Sequence, residues 1–187
     1  MVSAIVLSYK RRNNIPRIIS HLLSQPFISE IIIKDGLKDD LVCYGRYEAA
    51  LRAKNETIYV QDDDCIVSGI KDVYGRFQGQ ITYGCTEGYL KDKNRHFGDM
   101  ELALVGWGCF FPKKAVGVLN QYVKKYGKDK VFLREADRIF TLLQRKPHLA
   151  VPTAIEHLSG FDDETAMSSQ EEHLESKKLA IKRCLDL

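Results

Sequence analysis

Hydrophobic residues follow two habits along the first third of the chain. Residues 3–8 (SAIVLS), the triplet Ile31-Ile32-Ile33 and residues 57–61 (TIYVQ) are short apolar runs rich in strand formers. Between them apolar residues recur at three- and four-residue spacing, as Ile15, Ile18, Ile19, Leu22 and Leu23, and then as Tyr47, Ala50 and Leu51 within residues 45–54. The first habit suits strands covered on both faces, and the second suits helices with one buried face. Asn14 is expected to cap the first helix with Pro16 in its first turn, Pro26 to stop it, and Asp35-Gly36 to end the second strand. Strand, helix, strand, helix, strand is the doubly wound α/β pattern, with a mostly parallel central sheet flanked by helices and right-handed crossovers.

The middle is less regular. Residues 79–86 read as a strand, 88–98 as a polar loop, and 101–111 as a strand broken by Gly106-Trp107-Gly108. A helix is expected after Pro112 with Ala115, Val118, Leu119, Tyr122, Val123 and Tyr126 on one stripe. Another is expected over 134–144 with Ala136, Ile139, Phe140 and Leu143 inward, and a short strand over 149–151. Residues 159–169 are polar and read as a flexible loop, suited to closing over a bound substrate. From about residue 170 a charged helix follows with Leu174, Ile181 and Leu185 as a thin apolar edge.

At 187 residues the chain has the length of one domain, large enough for a core without disulfide or metal staples. With 44% hydrophobic and 28% charged residues it is neither collagen-like, disordered throughout nor a coiled coil. No apolar run approaches the roughly 20 residues of a membrane span. The opening Met1-Val2-Ser3-Ala4-Ile5 lacks the features of a signal peptide, so a cytoplasmic location is expected. A net charge of +3 is too weak to point to nucleic acid. The five cysteines are widely spaced with no Cys-x-x-Cys pair, which predicts reduced buried thiols.

Ligands of open parallel sheets bind outside the carboxyl ends of the strands. There the first strand leads to Tyr9, Lys10, Arg11 and Arg12, the second to Asp35, and the third to Asp62, Asp63 and Asp64. Adjacent carboxylates fed by an apolar strand repel one another, and a divalent cation would relieve that repulsion. In an extended segment Asp62 and Asp64 share one face and Asp63 takes the other. Two carboxylates do not fill six oxygen positions, and Mg2+ or Mn2+ commonly complete theirs with phosphate oxygens and water. The competing explanation is a solvated acidic turn.

Residues 57–64 (TIYVQDDD) resemble the strand and Asp-x-Asp motif of the GT-A glycosyltransferases. Residues 8–11 (SYKR), 30–36 (EIIIKDG), 106–111 (GWGCFF) and 135–140 (EADRIF) are similar, in that order, to further segments of the fold. The nearest pattern is the exostosin C-terminal-like group, with family 2 enzymes next, and the likeness covers residues 3–158. It implies one GT-A catalytic domain over 1–158, with a nucleotide-binding half at about 1–68 and an acceptor-side half at about 69–158. Residues 159–187 then form a loop and a C-terminal helix.

The resemblance also implies roles. Asp64, with Asp62, would bind Mn2+ or Mg2+, joined by His157. Tyr9, Arg11, Asp35, Arg46, Asp62 and Asp63 would bind a nucleotide-sugar donor, with UDP expected. Asp137 would be the catalytic base if the enzyme inverts, or orient the sugars if it retains. Ala136 stands where the first acid of that late pair is found, and Glu135, one place earlier, is the second catalytic candidate. Trp107, between Gly106 and Gly108, would stack on a glycan or other hydroxyl-bearing acceptor. Two rivals remain open. A sugar-1-phosphate nucleotidyltransferase would be expected to carry a Gly-rich basic loop after the first strand, where this chain has Tyr9-Lys10-Arg11-Arg12. A non-catalytic module would bind nucleotide sugar or glycan without turnover.

Overall fold

The computed structural model describes residues 1–9, 11–36, 41–91, 96–97, 100–158 and 171–187. Strand β1 (Val2–Ser8) is buried at every residue, as its unbroken apolar run requires. A 3-10 turn (Arg12–Asn14) leads into α1 (Ile15–Leu23), followed by β2 (Ile28–Asp35), a turn at Val42–Tyr44, α2 (Gly45–Arg52) and β3 (Thr57–Asp62). Next come β4 (Cys65–Val67), α3 (Ile70–Arg76), β5 (Thr82–Cys85), α4 (Glu87–Leu90), and a small ladder of β6 (His96–Phe97) with β7 (Met100–Glu101). The chain continues through β8 (Cys109–Pro112), a 3-10 segment (Lys113–Val118), α5 (Leu119–Tyr126), α6 (Lys130–Arg134) and α7 (Ala136–Leu143). It ends with β9 (Leu149–Pro152), β10 (Ile155–His157) and α8 (Glu171–Leu185).

The central sheet has the order β2-β1-β3-β8-β5-β9. β1 pairs in parallel with β2 and β3, and β5 with β9, while β8 runs antiparallel to both its neighbours. One reversed strand thus interrupts a parallel sheet, and the α/β class with flanking helices is as expected. Alternation across the pleat feeds two cores. Val2, Ala4, Val6, Tyr59 and Phe110 pack with α1, β4 and α3 on one face. Ile5, Ile58, Val60 and Phe111 pack with α2, α5, α6 and α7 on the other.

Several local expectations are corrected. Asn14 does not cap α1: its side-chain amide donates to the Asp63 carbonyl at 2.8 Å and is committed to the strand ends. Leu23 and Leu51 are exposed, because α1 rests on Ile18 and Leu22, and α2 on Arg46, Tyr47, Ala49 and Ala50. Leu174 and Leu185 also face outward. Helix α8 docks on α6 and α7 through His173, Ser176, Ala180 and Cys184, whose three- and four-residue spacing is equally helical but not apolar throughout. The helix after Pro112 opens as a 3-10 segment. β4 and α3 were not anticipated: a three-residue strand has too few positions to show a period, and it is stabilised by distant pairing with β10. All five cysteines are buried and free. No described helix is long and apolar enough to cross a membrane. The expected loop over 159–169, Lys10 and much of the polar stretch 88–98 lie outside the described residues.

Candidate active site at the carboxyl edge of the sheet

Parallel pairing places the ends of β1, β2 and β3 side by side: Ser8 lies opposite Asp35, and Leu7 opposite Asp62. The three aspartates that follow β3 divide their work. Asp63, 2% exposed, accepts the backbone N–H of Tyr9 at 2.7 Å and of Arg11 at 3.2 Å through Oδ2. Arg11 Nη1 lies 3.5 Å from its Oδ1, and Asn14 donates to its carbonyl. The middle aspartate therefore pins the loop after β1 onto the acid turn. A carboxylate satisfying backbone donors in this way is a structural anchor.

Asp62 turns the other way. Its Oδ1 accepts from Arg46 Nη2 at 2.6 Å, and its N–H donates to the Gly106 carbonyl at 2.8 Å. A Cβ built on Gly106 would collide with the Asp62 carboxylate, so glycine there leaves the carboxylate its place. Gly108 has φ +90°, and a Cβ on it would meet Val67 and the Tyr59 hydroxyl. The Gly-Trp-Gly break before β8 is thus the wall against which Asp62 is set.

Asp64 is mostly buried. Its Oδ2 lies 3.6 Å from Arg11 Nη1, while its Oδ1 is buried with no hydrogen-bond partner among the described residues. Burial first, then the charge of Asp62, pushes this carboxyl well above its ordinary range, with Arg11 pulling partly back. An orphaned carboxylate oxygen beside a second carboxylate suits a hard divalent cation, which takes oxygen ligands and relieves like-charge repulsion. Among the described residues no three His, Cys, Asp or Glu side chains are placed to hold a metal ion together, so Asp62, Asp64 and His157 do not converge as a ligand set. Two carboxylates completed by phosphate and water would be an open site.

His157 lies on β10, paired with Cys65, and the next residue, Leu158, donates its N–H to the Asp64 carbonyl at 2.7 Å. β10 thereby brings His157 alongside the acid turn. Its ring meets Trp107 edge-on with centroids 5.4 Å apart. Trp107, Gly106, Gly108 and His157 therefore share one side of the site.

Arg46 links the two halves. It is 2% exposed, with Asp62 on Nη2 and Asp137 Oδ1 3.4 Å from Nε. Burial alone would lower its pKa, but Asp137 and Asp62 outweigh it and hold the guanidinium charged. Asp137, in the first turn of α7, also accepts from the Tyr47 hydroxyl at 2.8 Å through Oδ1. Burial, resisted by Arg46 and reinforced by the charge of Asp62, raises its pKa from the ordinary 3.8 to about 6. A quarter of its side chain remains accessible.

The other candidates lie at the margins. Asp35 is 36% exposed and pairs with Arg12 at 2.6 Å. Tyr9 packs its ring near Gly36, beside the end of β2. Glu135 is 3% exposed; its Oε1 lies 2.9 Å from His173 Nδ1 and its Oε2 3.2 Å from Arg138 Nε. Its partners belong to α7 and α8, not to the acid edge. Tyr47 was read only as an apolar helix position. The signal that could have found it is a tyrosine in a buried stripe, whose hydroxyl must find a partner.

No protein-family model matches the sequence, and no curated protein is similar to it. Among solved structures the chain is similar to 4-diphosphocytidyl-2C-methyl-D-erythritol synthase from Anaerococcus prevotii, at 13% identity over 97% of this chain and 98% of that one, with a TM-score of 0.54. It is also similar to the inositol-1-phosphate CTP transferase from T. maritima, at 8% identity over 94% and 96% of the two chains, with a TM-score of 0.55. This likeness establishes the fold, an α/β domain with a mostly parallel central sheet flanked by helices, and it extends over nearly the whole chain.

Proposed function

We propose that the acid edge binds a nucleotide diphosphate with a divalent cation and that the chain transfers a sugar from a nucleotide-sugar donor to an acceptor hydroxyl. The observation that carries this reading is the chain Asp62–Arg46–Asp137, buried at Arg46 and partly accessible at both carboxylates, set beside the orphaned Asp64 Oδ1 at the carboxyl ends of parallel strands. Asp64 and Asp62 would hold Mg2+ or Mn2+. The cation, when bound, offsets negative charge on the leaving diphosphate.

Within this reading Arg11 and Arg46 keep the acid edge from excess repulsion and fix the carboxylates in place. Tyr9 and Asp35 flank the space for the base and ribose, with a UDP donor as the first choice. Asp137 has a pKa close to working pH, which suits proton removal from an acceptor hydroxyl. Tyr47 and Arg46 both engage its Oδ1, an arrangement that fixes the carboxylate's direction. Trp107, between glycines, would offer an apolar face to a sugar ring. Residues 1–158 would form the catalytic domain.

A second reading is nucleotidyl transfer, from a nucleoside triphosphate to a sugar phosphate with release of pyrophosphate. It is favoured by the solved structures of similar fold, one of them named as a CTP transferase. Against it stands the loop after β1, which is anchored by Asp63 and has no glycine in residues 9–13. Product analysis separates the two. Incubation with UDP-sugars and Mn2+ should release UDP slowly by donor hydrolysis. Pyrophosphate release from CTP or UTP with a sugar 1-phosphate, in the absence of any donor hydrolysis, would replace the first reading by the second. Binding of UDP-sugar with neither reaction would indicate a non-catalytic module.

A further inference from the structure

Beneath the acid edge, β3 carries two polar side chains on a face that is otherwise apolar. Tyr59 and Gln61 are fully buried and two residues apart, so both lie on the side of the sheet that packs with α1 and α3. The Tyr59 hydroxyl donates to Gln61 Oε1 at 2.9 Å. Gln61 Nε2 donates to the Cys65 carbonyl at 2.9 Å, with the Asp62 carbonyl at 3.4 Å. The amide thus ties the end of β3 to the start of β4, and Asp62, Asp63 and Asp64 are the residues enclosed between those two points. Gly108 leaves room for the pair, since a Cβ there would stand 2.9 Å from the Tyr59 hydroxyl.

A buried amide is costly unless its hydrogen bonds are made, and an apolar residue at 61 would continue β3 without that cost. Here both ends of the amide are engaged, and the bond that leaves β3 goes to the acid turn. The rest of the turn's backbone is held as well. Asp62 N–H donates to the Gly106 carbonyl, the Asp63 carbonyl accepts from Asn14, and the Asp64 carbonyl accepts from Leu158 N–H. Rigidity matters where three like charges crowd one turn. Repulsion favours a turn that opens and hydrates its carboxylates, and a cation would have to reverse that opening on binding.

We infer that Gln61, oriented by Tyr59, is a positioning residue that presets the acid turn for a divalent cation and a nucleotide diphosphate. The inference rests on the proposed function of the acid edge. Gln61 has no exposed surface and meets no ligand. It acts through the backbone of Cys65, which limits how far Asp62 and Asp64 can part.

The test is UDP retention in equilibrium dialysis against rising Mn2+, with every protein held well below its own thermal midpoint. Gln61→Met keeps a side chain of similar length and removes both ends of the brace. Its Mn2+ concentration for half-maximal UDP retention should rise at least about tenfold over the parent, equivalent to about 1.4 kcal/mol. Tyr59→Phe keeps the ring in the core and should raise it about threefold. The double variant should go no further than Gln61→Met alone, because both side chains belong to one brace. Ile18→Val, in the same core but away from the turn, should lower the thermal midpoint and keep the parent's Mn2+ requirement. A Gln61→Met protein that loses thermal stability yet keeps the parent's Mn2+ requirement would overturn the inference and leave the reading of the acid edge standing. An equal rise in Ile18→Val would overturn it too. If Gln61→Met does not fold, Tyr59→Phe decides by the same comparison. A parent chain that retains no UDP at any Mn2+ concentration would overturn both the reading and the inference.

Discussion

Two neighbouring groups of charges at the start of α7 handle burial in opposite ways. At the acid edge, Asp62, Asp63, Asp64 and Asp137 are served by Arg11 and Arg46, so carboxylates outnumber cations. Asp64 and Asp137 are both pushed upward in pKa, by burial first, with the charge of Asp62 adding to it. Two residues before Asp137, Glu135 meets His173 and Arg138, and although burial acts to raise its pKa, these partners bring the net shift below the ordinary value. Asp129, on the same side, is held by Arg183 at 2.6 Å. Glu135 is thus neutralised as part of the scaffold that docks α8. At the acid edge the carboxylates are not fully matched, and Asp64 and Asp137 hold their protons to higher pH than an ordinary carboxylate.

The contrast is sharpest at Arg46. Arg46→Met leaves Asp62 and Asp137 without their shared cation and should cost about 3 kcal/mol or more in denaturant unfolding. The deficit should shrink as pH falls and the carboxylates protonate. A cost below about 1 kcal/mol at neutral pH would mean that the two sides do not differ in the way described.

Glu135→Gln should come next, costing about 1–2 kcal/mol by weakening the contacts to His173 and Arg138. Metal-dependent nucleotide binding should survive in it. Loss of that binding would move Glu135 into the site.

The pH profiles should also oppose each other. Asp137 keeps its proton in the folded state up to about pH 6, above its unfolded value of 3.8. It therefore lowers stability as pH rises between about 4 and 6. Asp137→Asn should flatten that part of the curve, whereas Glu135→Gln should remove stabilisation that is present above the unfolded pKa and lost in acid. Turnover should fall below pH about 6 as Asp137 protonates. Asp137→Asn should spare donor affinity and reduce turnover, and unchanged turnover would remove it from the chemistry.

Tyr47→Phe is a smaller perturbation, about 1 kcal/mol for one hydrogen bond. The hydroxyl lowers the pKa of Asp137, so its removal should shift the acid limb of activity to higher pH. An unmoved limb would show that Tyr47 only packs. Trp107→Ala, at a half-buried position, bears on substrate use and not on the charge contrast. It should impair acceptor use more than donor use, and the reverse pattern would contradict the stacking role.

Which parts of this were legible in the sequence follows from where the information resides. β1, β3 and the helix faces at Ile18/Leu22 and Ile139/Phe140 are written in local periodicity, and the strand ends locate Asp35 and the aspartate triplet. The division of labour among the three aspartates was only half visible. Strand alternation would turn Asp63 away from Asp62 and Asp64, but the strand ends at Asp62: Asp63 and Asp64 lie in a turn and share Arg11 Nη1 at 3.5 and 3.6 Å, and the backbone donors that hold Asp63 come from 52 and 54 residues earlier. Arg46 read as a group reaching for substrate, since nothing local shows that it is buried between two carboxylates. The docking of α8 misled for the same reason: its leucines suggested the buried face, whereas His173, fixed by Glu135, decides it.

The central claim is that the acid edge holds a nucleotide diphosphate through a divalent cation on Asp64. The direct measurement is thermal unfolding with UDP and UDP-sugars, with and without Mn2+, on the parent chain and on Asp64→Asn. A rise in Tm that needs Mn2+ in the parent and vanishes in Asp64→Asn is predicted. No nucleotide-dependent rise, or one indifferent to both Mn2+ and the substitution, would contradict it.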